Sequence, residues 1–363
     1  MMAQLFDNEW KREDLLRRIG RLSQLCGVRM YEFMDGKEKG SRAAEVRTGS
    51  GLTFTLLLDR GMDIGPADFA GCPLAWHSCA GFPHPSYFIP FKDHWLETFG
   101  GGLVATCGLS NVGAYNVDTG KEFNLHGVIT SSASENVKID YKWNGDDLDI
   151  SVEGTVREAA VFGPNLSLHR LIWTRLGEKK IFIEDRVTNE GYQEIPVMFL
   201  YHINIGWPVL DKDTIFIAPS KKVAPLNAEA EKEKEDYAVF DIPQKNYRER
   251  VYYHDMIPDP SGNVQLAIVN PSLHSPCFGI YLKYPYRELP RFTQWKMIGE
   301  GTYVLGVEPG NCSVTGRARE RAEGTLQYLD PGHFRTFHLE IGVISSPEEM
   351  NQISDLVAKL LRK

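Results

Sequence analysis

The sequence predicts an all-β protein, mainly antiparallel, with a short helix at each end. Two observations predict it: apolar and polar residues alternate along much of the chain, and no strand–helix–strand unit recurs. Segments 52–58, 148–156, 181–187, 197–205, 264–269, 278–284 and 334–343 are rich in Ile, Val, Phe and Tyr, and Gly, Pro, Asn and Asp punctuate them. A parallel α/β sheet would need intervening helices, so a sandwich or a barrel remains. The last segment is the clearest strand. Arg335, Phe337, Leu339, Ile341 and Val343 share one face, and Thr336, His338 and Glu340 share the other.

The C-terminal helix has Ser346 as N-cap, Pro347 in its first turn and Glu349 to complete a capping box. Met350, Ile353, Leu356, Val357, Leu360 and Leu361 then recur at helical spacing, and Arg362 and Lys363 suit the negative end. Residues 10–19 read as a shorter amphipathic helix. The run 229–236 (EAEKEKED) is almost wholly charged and reads as a solvated loop without a functional role. The expected organisation is an N-terminal segment 1–22, one β domain over 23–346, and a helix 347–363 packed on it.

With 363 residues, 42% of them apolar, the chain can bury a large core. Its 48 acidic and 40 basic residues give a net charge of −8, and the basic ones are scattered. Nucleic acid and anionic membrane are therefore poor partners. No apolar run approaches a bilayer span, and the start lacks the pattern of a secretory leader. The six cysteines (Cys26, Cys72, Cys79, Cys107, Cys277 and Cys312) form no C-x-x-C pair. A zinc ribbon, a redox dithiol and a disulfide framework all lose support, and a cytoplasmic protein is expected. His77, His84 and His94 crowd one loop, with Glu97 after them, but match no metal-ligand spacing. The glycines at 100–102 lack the following helix that a phosphate loop requires.

Three places interrupt apolar alternation with ionisable groups. In segment 196–208 (PVMFLYHINIGWP), Phe199, Tyr201, Ile203 and Ile205 share one face. Met198, Leu200, His202, Asn204 and Gly206 share the other, which sets an imidazole beside an amide with a glycine clearing room next to them. In segment 301–310 (GTYVLGVEPG), Glu308 follows Gly306 on one face of an apolar strand, as a half-buried general base would. His126 precedes Gly127 in segment 123–132 (FNLHGVITSS). Each also has a bland reading: a hydrogen-bonded core histidine, a solvated strand-end acid, a turn histidine.

Taken in order, these residues resemble the aldose 1-epimerase, or galactose mutarotase-like, superfamily. The match is closest to an uncharacterised aldose 1-epimerase-like branch carrying a domain of unknown function. LDRGMDI (58–64), GGLVATCGLSNVG (101–113), LHG (125–127), LYHINIG (200–206) and QWKMIGEGTYVLGVEPGN (294–311) carry it, over roughly residues 20–345. The resemblance implies a β-supersandwich with a sugar cleft on one face. It also implies that His126, His202 and Glu308 surround an anomeric carbon: Glu308 as base, His202 as acid, His126 near the ring oxygen. Well-studied mutarotases place a sugar-binding arginine in a Gly-Arg-x-x-Asn-Arg stretch, and segment 100–113 holds no arginine.

Mutarotation opens a hemiacetal ring and closes it on the other carbonyl face. It needs one group to accept a proton and one to donate it, and no metal or cofactor. Candidate sugar-binding groups are Arg60, which could replace the missing arginine, with Asp63, Asn204, His254 and Lys296, the last beside the aromatic Trp295. The expected partner is a small carbohydrate, bound by a monomer or homodimer. A sugar-binding protein without turnover, or another isomerase or lyase chemistry on the same fold, remains the alternative.

Overall fold

The structure, a computed structural model, describes residues 3–273 and 277–362. Two large antiparallel sheets face each other. One runs, edge to edge, Ser134–Asn144, Asp147–Ala159, Asn165–Arg175, Lys180–Asn189, Phe334–Ile344, Phe278–Pro285, Asn263–Asn270 and Ile215–Ile217. The other runs Ser220–Pro225, Arg250–Met256, Arg291–Gly299, Thr302–Gly310, Met198–Gly206, Val104–Leu109, Asp63–Phe69, Leu52–Leu57, Arg42–Arg47 and Gly27–Glu32. Of the sandwich and barrel that the alternation left open, the sandwich forms, as the resemblance implies.

Alternation assigns each side chain to a layer. Phe199, Tyr201, Ile203 and Ile205 meet Leu305, Val307 and the inner faces of the opposite sheet in the main core. Met198 and Leu200 point the other way and pack with Trp95, Phe99, Ala105, Cys107 and Cys312 in a second cluster on the outer face. The long Met198–Gly206 strand is therefore buried on both sides along its whole length.

A buried ionic network stitches the sheets together. Arg170 makes two hydrogen bonds to Asp185 within its own sheet, at 2.9 and 2.7 Å, and one of 3.0 Å to Asp63 of the facing sheet. Tyr201, also from the facing sheet, donates to Asp185 at 2.7 Å. A fully buried guanidinium is tolerated here because two carboxylates share its charge.

The ends differ from the sequence expectation in detail. Ala3–Leu5 and Asn8–Trp10 form a hairpin, with Phe6 and Asp7 both at positive φ in the turn. Trp10 closes this hairpin through a bond from Nε1 to Leu5 O, so the helix is only Arg12–Leu16 rather than 10–19. The C-terminal helix is Pro347–Leu361, and Ser346 accepts from the Glu349 amide. Glu349 reaches back to the Ser345 amide rather than to that of Ser346. Ile353 and Val357 lie against Ala267, Val269 and Ile344. The charged run 229–236 is mostly helical rather than a loop. Asn227 caps Ala228–Lys232, and a further turn spans Lys234–Asp236.

Candidate active site

Register, rather than proximity in sequence, assembles the site. The pairs Leu200–Gly310 and Ile203–Val307 set His202 opposite Glu308 on the outer face. On its other side His202 faces Ala105, and Glu308 in turn faces Thr293. His202 Nε2 lies 3.3 Å from Glu308 Oε1, and both side chains are buried. Gly306 makes the carboxylate's position possible. A Cβ there would stand 2.5 Å from Glu308 Oε1 and 2.9 Å from Trp295 Cβ. The room beside Gly206 is used differently from the expectation, since a Cβ there would meet Trp76 at 2.9 Å.

His126 joins from a turn. Its backbone is left-handed (φ 57°), with its amide donating to Gly113 O and its carbonyl accepting from the Gly108 amide. The imidazole then lies 5.7 Å, centroid to centroid, from that of His202. Aromatic rings close over the group. Trp95 stacks on Phe99 at 4.2 Å and lies 4.7 Å from His126, while Phe99 and Trp295 stand 5.1 and 5.5 Å from His202.

This lining governs protonation. Burial pushes the His202 imidazole down to about 4, against a smaller opposing pull from Asn204. Burial, and then the neighbouring His202, push His126 down to about 3. Burial holds the Glu308 carboxyl well above the usual carboxylate range, with Glu249 adding to the effect. Both shifts favour the uncharged pair, an imidazole beside a carboxylic acid, in which a shared proton rests on the carboxyl. Several buried polar atoms here lack a protein hydrogen-bond partner: His126 Nδ1, His202 Nδ1, Asn204 Oδ1, Glu308 Oε1, Thr293 Oγ1 and Trp95 Nε1. Each such atom costs about 1–3 kcal/mol, so their convergence on one outer-face patch suits a hydroxyl-rich ligand.

Of the other residues picked from sequence, only Asn204 adjoins this group. Its Nδ2 donates to Gly102 O and to His202 O at 3.0 Å each. Arg60 is buried and spends its guanidinium on Pro83 O and Thr98 O, both at 2.7 Å. Asp63 accepts from Thr106, Thr130 and Arg170 beneath the sheet. Lys296 and His254 lie on the opposite face of their strands from Glu308, as the pairings Thr293–Glu308, Trp295–Gly306 and Arg250–Lys296 require. There Lys296 donates to Asp236 O, and the His254 ring nitrogens contact Ser220 and Gln294. The loop histidines do not converge. His84 contacts Ser86, His94 contacts Glu97, and His77 lies edge-on to Phe82. Sequence reasoning missed Trp95 and Thr293 altogether. The parity of segment 291–299 could have found Thr293, because it shares a face with Trp295.

A family model described as domain of unknown function DUF4432 matches residues 38–343, and the chain belongs to that family. No curated protein sequence matches it. Its fold is that of the galactose mutarotase-like proteins. A candidate aldose 1-epimerase of Klebsiella pneumoniae is similar over 92% of this chain and 87% of its own, with 23% identity and a TM-score of 0.87. A galactose mutarotase-like protein of Clostridium acetobutylicum (89% and 100% covered, 13% identity, TM-score 0.57) shares the fold. So does a galactose 1-epimerase of Lactobacillus acidophilus (88% and 99%, 10%, TM-score 0.52).

Proposed function

We propose that this protein is a carbohydrate isomerase that interconverts the anomers of a sugar by acid–base ring opening, in the manner of an aldose 1-epimerase. The observation that carries the reading is the His202–Glu308 contact of 3.3 Å, with His126 beside it, in a patch of unpaired polar atoms. Sugar hydroxyls hydrogen-bonding to the pair favour its charged form, so the shared proton passes to His202. Glu308 then removes the proton of the anomeric hydroxyl, that oxygen becomes the carbonyl, and the bond from anomeric carbon to ring oxygen breaks. The ring oxygen takes the proton from His202, and His126 steadies the charge developing there. Rotation of the free carbonyl and closure by the reverse steps give the other anomer. His202 recovers its proton and Glu308 gives back the one it took, so the reaction balances without an electron acceptor.

Proton-exchange NMR between the anomers of a panel of aldoses, ketoses and uronates tests the reading. Exchange should accelerate for at least one sugar, and Glu308→Gln should slow it by about 10²–10⁴-fold. Exchange unaltered by the protein across the panel would sink the assignment, and full activity in Glu308→Gln would sink the base.

A further inference from the structure

The polar row across the outer face does not stop at Thr293. The next strand sets Tyr253 opposite Thr293, and the buried Tyr253 hydroxyl lies beside the hydroxyls of Ser313 and Thr315. Two strand spacings put Tyr253 about 10 Å from Glu308. Tyr253 also forms part of the wall of a groove of about 660 Å³, bounded by the Ser220–Pro225 strand on one side and the Arg317–Glu323 helix on the other. Ligand pockets commonly span about 300–1,000 Å³, so the groove has the capacity of a binding site in its own right.

The lining says what kind of group fits. Its charges balance, with Lys222, Arg291 and Arg319 against Asp255, Glu320 and Glu323; Arg319 pairs with Glu323, and Lys222 faces Asp255 in register. Such a surface offers little net attraction to a phosphate or a carboxylate. The hydroxyls of Ser313 and Thr315, in contact with each other at 2.9 Å, share the lining with the rings of Tyr253 and Tyr286, a mixture suited to a ring with polar edges and apolar faces. The geometry points to an extended carbohydrate site, in which this groove takes a second, neutral sugar ring. That ring is linked to the one whose anomeric carbon lies against the His202–Glu308 pair. The inference rests on the function proposed above and specifies its substrate as a reducing disaccharide or longer glycoside.

The test compares glucose and galactose with cellobiose, maltose and lactose, in anomer-exchange NMR and in titration calorimetry. Ala224 stands beside Tyr253 on the neighbouring strand and lines the groove, so Ala224→Trp fills the space without touching the His202–Glu308 pair. Lys222→Trp serves if that variant does not fold. At least one disaccharide should exchange about tenfold more efficiently than its reducing-end monosaccharide, and Ala224→Trp should erase the difference while monosaccharide exchange persists. Equal efficiencies, or a preference that survives the filled groove, would overturn the second-ring site and leave the proposed reaction standing. Disaccharide binding weakened by Ala224→Trp, with no exchange of any sugar, would uphold the groove and overturn the reaction. Neither binding nor exchange would overturn both.

Discussion

At the scale of the residue, Gly306 exerts the tightest control over the chemistry. Its missing side chain is the space that Glu308 Oε1 occupies, so Gly306→Ala must push the carboxylate aside. A displacement of about 1 Å at a reacting group costs on the order of 10²-fold in rate. We therefore expect Gly306→Ala to lower anomer exchange about a hundredfold with an unchanged circular-dichroism spectrum. Near-normal exchange would mean that Glu308 works from another rotamer. His202 and Glu308 were legible in the sequence because strand alternation places a polar group on an apolar face. Lys296 misled for the same reason in reverse. Standing next to Trp295 in sequence, it necessarily points to the other side of the sheet, where it meets Asp236. Trp95 left no periodic signal, since it sits in a single 3-10 turn, His94–Glu97, and reaches the site only through tertiary packing.

At the scale of the element, the segment between Pro83 and Thr98 forms a strap over the site. Arg60 holds both ends through their carbonyls, and the Leu125 amide holds the middle at Lys92 O. Tyr87, Ile89, Phe91 and Leu96 face outward, each more than 40% exposed, while Trp95 faces in. Arg60 thus positions the roof of the site and does not itself reach the patch. Burial pushes its guanidinium down to about 10, yet it remains charged at neutral pH. Arg60→Met leaves two buried carbonyls unpaired. We expect local opening to become easier by about 2 kcal/mol, or roughly thirtyfold faster hydrogen exchange over residues 84–97. Unchanged exchange there would show that the strap is held by its apolar packing alone. The sequence showed this stretch as a loop rich in Pro and aromatics, but no local pattern announces a clamp from a residue more than twenty positions away.

At the scale of the molecule, two terms set stability. The first is the Arg170 network between the sheets. Arg170→Met strands two carboxylates in the core and should cost about 3–5 kcal/mol in urea denaturation. A loss below about 1 kcal/mol would show that Asp63 and Asp185 find other partners. The second is proton uptake. His126, His202 and His254 are pushed by burial to about 3, 4 and 4. Between the ordinary histidine value near 6.5 and those figures, the unfolded chain binds protons that the folded chain refuses. Their contribution to stability is therefore full above about pH 6.5 and is lost as pH falls toward 4. Glu308 acts oppositely: the folded chain keeps a proton the unfolded chain sheds, so its contribution fades as pH rises from about 4.5 through its raised value. Melting temperature should fall between pH 6.5 and 4.5, and His254→Gln should make that slope shallower. An unaltered slope would assign the effect to other groups.

The transverse row from His202 through Glu308 to Thr293 also bears on how such a protein can diverge. Because the strands carrying these groups are read with a period of two, inserting or deleting one residue in any of them would exchange the two faces. It would bring Lys296 or Gln294 outward in place of Trp295. Substitution can retune this sheet, but a change of length would dismantle it. The freedom to vary lies instead in the strap at 83–98 and in the segments around the groove. Novelty in ligand choice among descendants of this chain should accordingly arise in connections, against a strand framework of fixed count.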